Sequence, residues 1–315
     1  VSAGYRPSGP LDPVAAAIAG FFAADPGWQA MTSTPVAKTR ATIRAATPVT
    51  GEPAMARVED FTIPVPGGEI ALRLYHPGPN PPAIIAWAHG GGFALGSIDE
   101  IDNFSRALAA QSGCALVSIE YRLAPEHRFP TALDDVLAAT RWIAEHRREL
   151  AGDLPLVLGG DSAGANLATV ATRKLHRAAE LAIAANVLAY PCTDRPDTPS
   201  LRRFEAPFLG AKEVAFFTAQ YLRDAADGTD PDFAPLYAQD LHLLPPTLLL
   251  TAEHDILTEQ AETYAARLQA CGVAARASRY AGMIHGFLTM DAFFPGAAGA
   301  AMREIKGFLA ESLGG

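Results

Sequence analysis

The stretch LPLVLGGDSAGANLATVATRKL sets a serine at the end of an apolar run and the start of an Ala/Leu-rich segment, with Gly160 and Gly164 two residues to either side. A strand that turns abruptly into a helix holds its serine hydroxyl clear of the chain, and the turn is tight enough that its flanks must be small. The helix then aims its first N–H groups at any negative charge forming beside the serine. Ser162 is therefore a candidate nucleophile, and the strand–turn–helix setting carries that reading more than the bare G-x-S-x-G spacing does. A second constellation, AIIAWAHGGGF, ends an apolar run at His89 and passes into Gly90, Gly91 and Gly92. Such a triplet lets backbone amides turn inward to donate to an oxyanion, together with the amide that follows the nucleophile. The candidate donors are Gly91, Gly92 and Ala163. No Lys-Ser/Thr follows the glycines, which sets the loop apart from a phosphate-binding P-loop. His89 itself is expected to hold the loop in place.

A serine nucleophile needs a base, and where the serine sits on such an elbow the chain order is serine, acid, histidine. Of the histidines after Ser162, His176 lies along the nucleophile helix, His242 precedes a strand, and His254 adjoins Asp255. His285, in YAGMIHGFL, falls just after the last apolar run and before the final helix, and is the best placed. For the acid, TLLLTAEHDIL offers Glu253 and Asp255. Asp255 is preferred because it lies past the strand end, where its carboxylate can reach the imidazole; Glu253 is the alternative. The three groups together point to nucleophilic acyl transfer.

These side chains have to be positioned by a sheet. VEDFTIPV and EIALRLYH alternate apolar and polar residues, as strands with one buried face do, and read as an antiparallel hairpin through Gly67 and Gly68. From Ala83 the pattern changes to short apolar runs, AIIAWAH, CALVSIE, LPLVLGG, IAANVLAY, TLLLTAE and AARASRY. Helical patterns lie between them at about Asp102 to Ser112, Ala132 to Glu149, Asn166 to Ala179 and Glu259 to Cys271, and another closes the chain. That alternation predicts an α/β fold, a single domain of about eight mostly parallel strands sandwiched by helices. Two segments fall outside it: residues 1 to about 45, helical around Pro13 to Ala24, and about 195 to 230. Both are candidates for a helical cap. The second carries Phe204, Phe208, Phe216, Phe217 and Tyr221 and is expected to be helical with an aromatic face. Its aromatics either line a pocket, with Phe208, Phe216 and Phe217 as the substrate-binding candidates, or glue the cap to the core.

The assembled motifs resemble the hormone-sensitive lipase family of α/β hydrolases, the bacterial family IV esterases. HGGGFALGS, YRLAPEHRFP at Tyr121 to Pro130, GDSAGAN, DIL at Asp255 to Leu257, and MIHGF carry the resemblance, across roughly Ala83 to Phe287. It implies a carboxylesterase of the α/β-hydrolase fold acting on short- or medium-chain esters, with a cap built from the N-terminus and a later insertion. It also implies catalysis without a cofactor or metal, and often homodimers. Ala165 stands where the family usually has glycine, Ile256 where proline is common, and Glu259 where aspartate is common; none of these removes a reacting group. An amidase or deacetylase could run on the same triad, since an amine leaving group asks only for better protonation by the same histidine. The gibberellin receptors also resemble this family but lack the catalytic histidine, so His285 argues against a ligand receptor.

Composition excludes other classes. With 49% hydrophobic and 19% charged residues among 315, the chain can bury a large core. Its net charge of −9 and scattered basic residues give no stripe that could neutralise a nucleic-acid backbone. Cys114, Cys192 and Cys271 are odd in number and without C-x-x-C spacing, which argues for reduced core residues. No stretch has the length of a membrane span and the first residues have no apolar signal core, so a cytoplasmic location is expected.

Overall fold

Asp12 starts the first helix. Its carboxylate accepts the Val14 amide at 2.8 Å, and Pro13 fills the first helical position of α1 (Pro13–Ala24). Asp25 closes α1 and caps α2 (Pro26–Gln29) through the Trp28 amide at 2.7 Å; α3 (Val36–Ala46) follows. The computed structural model describes residues 5–314, so the first four residues of the N-terminal segment lie outside the described residues.

The strands are β1 (Arg57–Val65), β2 (Gly68–His76), β3 (Ile84–Ala88), β4 (Ala115–Ile119), β5 (Leu156–Asp161), β6 (Ala185–Ala189), β7 (Thr247–His254) and β8 (Ala275–Ile284). They form one sheet in the order β1-β2-β4-β3-β5-β6-β7-β8. β1 and β2 make the expected hairpin, Val65 opposite Gly68, and β2 runs antiparallel to β4; every other pairing is parallel. All residues of β3, β4, β5 and β6 are buried, as parallel strands covered on both faces require.

The covering helices are α4 (Asp102–Ser112), α5 (Thr131–Leu150), α6 (Ala163–Arg177), α7 (Ala211–Tyr221), α8 (Thr258–Ala270) and α9 (Pro295–Leu313). Alternate strand residues feed two cores. On one face Ile85, Trp87 and Leu116 pack with Phe104 and Leu108 of α4 and Met302 and Ile305 of α9. On the other, Ile84, Ala86 and Val117 pack with Val136 of α5, Val170 of α6 and Leu268 of α8. Because the central strands run the same way, the loops after β3, β5, β7 and β8 all emerge on one side of the sheet, the side where open α/β sheets bind ligands.

Two expectations need correcting. Residues 195–230 are helical only in part: α7 covers Ala211–Tyr221, while Phe204 and Phe208 lie in irregular chain before it. Pro196, Pro199 and Pro207 explain this, since each removes an amide donor and clashes with the preceding turn of a helix. The three cysteines are free, but only Cys114 is buried; Cys192 is half-buried and Cys271 is exposed at the end of α8. Among the described residues no helix is long and apolar enough to cross a membrane.

Candidate active site

Ser162 sits between β5 and α6 with φ 53° and ψ −117°, a backbone conformation that a residue with a β-carbon adopts only under constraint. The constraint is visible. Its amide donates to Ala189 O at 2.8 Å, and its carbonyl accepts the Asn166 amide at 3.1 Å. A β-carbon on Gly164 would run into the carbonyls of Ala88 and His89, so α6 can cross the end of β3 this closely only because that position is bare.

His285 follows β8. Its Nε2 is 2.9 Å from Ser162 Oγ and its Nδ1 is 2.7 Å from Asp255 Oδ2. Asp255 is 0% exposed, and its other oxygen accepts the Leu257 amide at 2.9 Å. The aspartate thus fixes which nitrogen of His285 carries the resting proton, leaving Nε2 free to take one from the serine. The ring of Tyr190 lies against the imidazole, centroids 4.7 Å apart.

The loop after β3 bends back over the elbow with Gly91 at φ 111° and Gly92 at φ 61°. Ala94 and Leu95 both donate to the Gly91 carbonyl, at 3.1 and 2.8 Å. Among the described residues, the amides of Gly91, Gly92 and Ala163 donate to no protein acceptor, which leaves all three as spare donors. The Gly90 amide, by contrast, is held by Asp161 Oδ1 at 3.0 Å. Asp161 also accepts from Trp87 Nε1 at 3.2 Å, and burial pushes its pKa above the usual carboxylate range. The chain therefore joins the nucleophile elbow to the glycine loop through the residue just before the serine.

His89 does support this loop. Its Nδ1–H donates to Gly90 O at 2.7 Å, and its ring stacks on Tyr121 with centroids 4.3 Å apart. Tyr121 in turn donates its hydroxyl to His89 O at 2.8 Å, and Ala124 N donates to Phe93 O at 2.9 Å. The Tyr121 to Pro130 motif, which sequence reading used only as a mark of resemblance, is the outer buttress of the glycine loop. His176 is a satisfied structural histidine, bonded to Leu243 O and the Ile183 amide.

Glu253, the alternative acid, points elsewhere. Its carboxylate takes the amides of Ser8, Gly9 and Gly282 and the Ser8 hydroxyl, and its carbonyl accepts the Tyr5 hydroxyl. Those donors, the Gly282 and Gly9 amides first, depress its pKa to about 2. No local sequence signal announces this, because every partner is distant in the chain.

The three phenylalanines occupy different places. Phe217, on α7, lies so close to Gly92 that a β-carbon there would meet its ring. Phe216 packs against Phe217, centroids 5.5 Å apart, and against the core beneath. Phe208 stacks on Trp28 at 4.8 Å and meets Phe22 at 5.0 Å, so the N-terminal segment and the insertion touch through these rings. It also comes within 3.9 Å of the position a β-carbon would take on Gly286, beside His285.

A family model described as alpha/beta hydrolase fold matches residues 85–289. The chain is 38% identical over 232 residues to the ethyl acetate hydrolase of Pseudomonas putida, a match covering 71% of this chain and 73% of that one. It is also 38% identical over 243 residues to the carboxylic ester hydrolase LipN of Mycobacterium tuberculosis, covering 74% of this chain and 65% of LipN, just under two thirds of its length. Among solved structures it resembles a hyperthermophilic esterase from the archaeon Pyrobaculum calidifontis, with a TM-score of 0.89 and 34% identity across 96% of this chain and 99% of that one.

Proposed function

The chain belongs to the bacterial family IV, or hormone-sensitive lipase, branch of the α/β hydrolases and is a carboxylic ester hydrolase, and from that premise we propose that Ser162, His285 and Asp255 are its catalytic triad, cleaving short- to medium-chain esters through an acyl-enzyme. The observation that carries this reading is the unbroken hydrogen-bond line from Ser162 Oγ through both imidazole nitrogens to Asp255. In it, Ser162 Oγ attacks the ester carbonyl while His285 Nε2 accepts the hydroxyl proton. Asp255 stabilises the imidazolium so formed without taking the proton itself. The negative charge that gathers on the carbonyl oxygen is met by the amides of Gly91, Gly92 and Ala163, for which no protein acceptor competes among the described residues. His285 then gives its proton to the leaving alcohol, and water repeats the sequence on the acyl-enzyme.

Residues 1–45 and about 195–230 act as the cap in this reading, with Phe208, Phe216 and Phe217 as an apolar wall for the ester. The placing of Phe217 against Gly92 and of Phe208 near Gly286 supports this, because Gly92 is a proposed oxyanion donor and Gly286 follows the proposed base His285. A fluorophosphonate should label Ser162 alone, as read by peptide mass spectrometry. A panel of matched esters and amides should then show turnover of the esters, shortest chains first. Labelling at another residue would overturn the nucleophile, and preference for the amides would overturn the substrate class.

A further inference from the structure

β7 and β8 do not stay in step. Ala252 pairs with Tyr280, but the next pairing is His254 with Ile284, so two steps along β7 correspond to four along β8. The surplus is taken up as a bulge around Gly282, whose φ is +71°. Bulges beside active sites re-aim the residues that follow them, and here His285 follows three residues later. The Gly282 amide, turned out of the ladder, donates to Glu253 Oε2 at 2.9 Å, and its carbonyl accepts the Asp12 amide at 3.0 Å. Glu253 lies two residues before Asp255 on the partner strand, so one carboxylate stands between the backbone that brings the base and the backbone that brings the acid.

The other oxygen of that carboxylate faces the N-terminal segment. Oε1 accepts the Gly9 amide at 2.8 Å and the Ser8 amide and hydroxyl at 3.1 Å each. Tyr5 adds its hydroxyl to Glu253 O at 2.6 Å and sits under the Arg279 guanidinium. The side chain is only 5% exposed, yet the ester hydrolysis gives it no chemical task.

We infer that Glu253 is a positioning residue for the hydrolysis: by gripping the Gly282 amide it fixes the bulge that delivers His285 to Ser162, and by gripping Ser8 and Gly9 it ties the N-terminal segment to that same point. This rests on His285 being the base. The two oxygens serve two sets of donors, so glutamine is a poor substitute: its amide turns a donor towards one set whichever way it is flipped. Aspartate keeps the charge but falls a methylene short.

The test compares Glu253→Gln, Glu253→Asp and Ser8→Ala in the full chain, with kcat counted per site titrated by a fluorophosphonate. Loss of the grip on Gly282 should lower kcat by about 10- to 100-fold, the effect of displacing a reacting group by about an ångström, with KM within about twofold. The rate of phosphonylation should fall in proportion. Ser8→Ala leaves Gly282 held and should keep kcat. Glu253→Asp gives the same reading should the glutamine variant not fold. If kcat per titrated site held while only the melting temperature dropped, Glu253 would be a staple and the inference would be wrong. Asp255→Asn run alongside keeps the underlying reading separate: if that variant were fully active, the triad assignment itself would fail, whatever Glu253 does.

Discussion

Around Ser162, position is imposed by backbone; where the N-terminal segment meets residues 195–230, it is imposed by rings. The elbow is held by the ladder between β5 and β6, by close passage of α6 over β3, and by a glycine loop that Asp161 pins through the Gly90 amide. Among the described residues no hydrogen bond joins the two covering segments to each other. They meet through Phe22, Trp28 and Phe208 and through Tyr5 with Phe204, and α1 leaves Phe21 68% exposed. Hydrogen-bonded backbone in a buried sheet tolerates almost no displacement, whereas apolar contacts are non-directional and can slide. In the proposed reading, chemistry that depends on tenths of an ångström rests on the first, and the surface that admits substrates rests on the second.

The largest effects should therefore come from the rigid region and should leave the rest intact. Ser162→Ala should lower kcat by a factor on the order of 10⁴ or more with the melting temperature nearly unchanged, since one oxygen atom is lost and no backbone is disturbed. Retained turnover by the purified variant would sink the assignment. Gly91→Pro comes next. It deletes one amide donor, which typically costs about 10² to 10³ in kcat, and any distortion of the loop adds to that. A change confined to KM would mean that the loop binds substrate uniformly instead of stabilising the transition state.

Legibility in sequence follows the same division. The elbow, the glycine loop, His285 and Asp255 could be read because each is announced by residues within a few positions of it: a bare flank, a glycine run, a strand end. The sheet could be read because buried parallel strands leave uninterrupted apolar runs, such as AIIAWAH and TLLLTAE. What Glu253 does could not be read, because its partners Ser8, Gly9 and Gly282 are remote in the chain and carry no signature of their own. The shape of residues 195–230 departs from its sequence pattern for a related reason: the aromatic spacing suggests a helix face, but prolines at 196, 199 and 207 interrupt any helix and tertiary contacts place Phe204 and Phe208.

The comparison sharpens if the ring contacts control specificity and not rate. Phe208→Ala should change kcat/KM by less than either Ser162→Ala or Gly91→Pro and should do so unevenly along a ladder of acyl lengths. Each methylene gained or lost against an apolar wall is worth about 0.8 kcal/mol, or about fourfold in kcat/KM, so the preferred chain length should move by one or two carbons. Phe217→Ala, next to Gly92, should disturb short esters as well as long ones. A profile of unchanged shape, with stability lost, would make both rings structural.

The smallest effect tests the seam between the two regions. The Gly282, Gly9 and Ser8 donors hold the Glu253 carboxyl at about 2, against 4.5 for an ordinary glutamate. A group whose folded pKa is depressed contributes stability that is complete above the unfolded value and is lost as pH falls towards the folded one. The contribution of Glu253 should therefore be whole above about pH 5 and fade between roughly 4.5 and 2. Glu253→Gln cannot titrate there, so the melting-temperature gap between parent and variant should be widest near neutral pH and shrink through that window. Hydrogen exchange of residues 5–12 should rise over the same range in the parent, ahead of exchange in β5 and β6, because the carboxylate in that ladder, Asp161, has its pKa raised by burial and its protonation withdraws no stability as pH falls. Were the gap constant with pH, the carboxylate charge would not be what holds the N-terminal segment. Were β5 and β6 to open together with residues 5–12, the seam would not be separable from the sheet, and the distinction between a backbone-fixed and a ring-fixed region would fail with it.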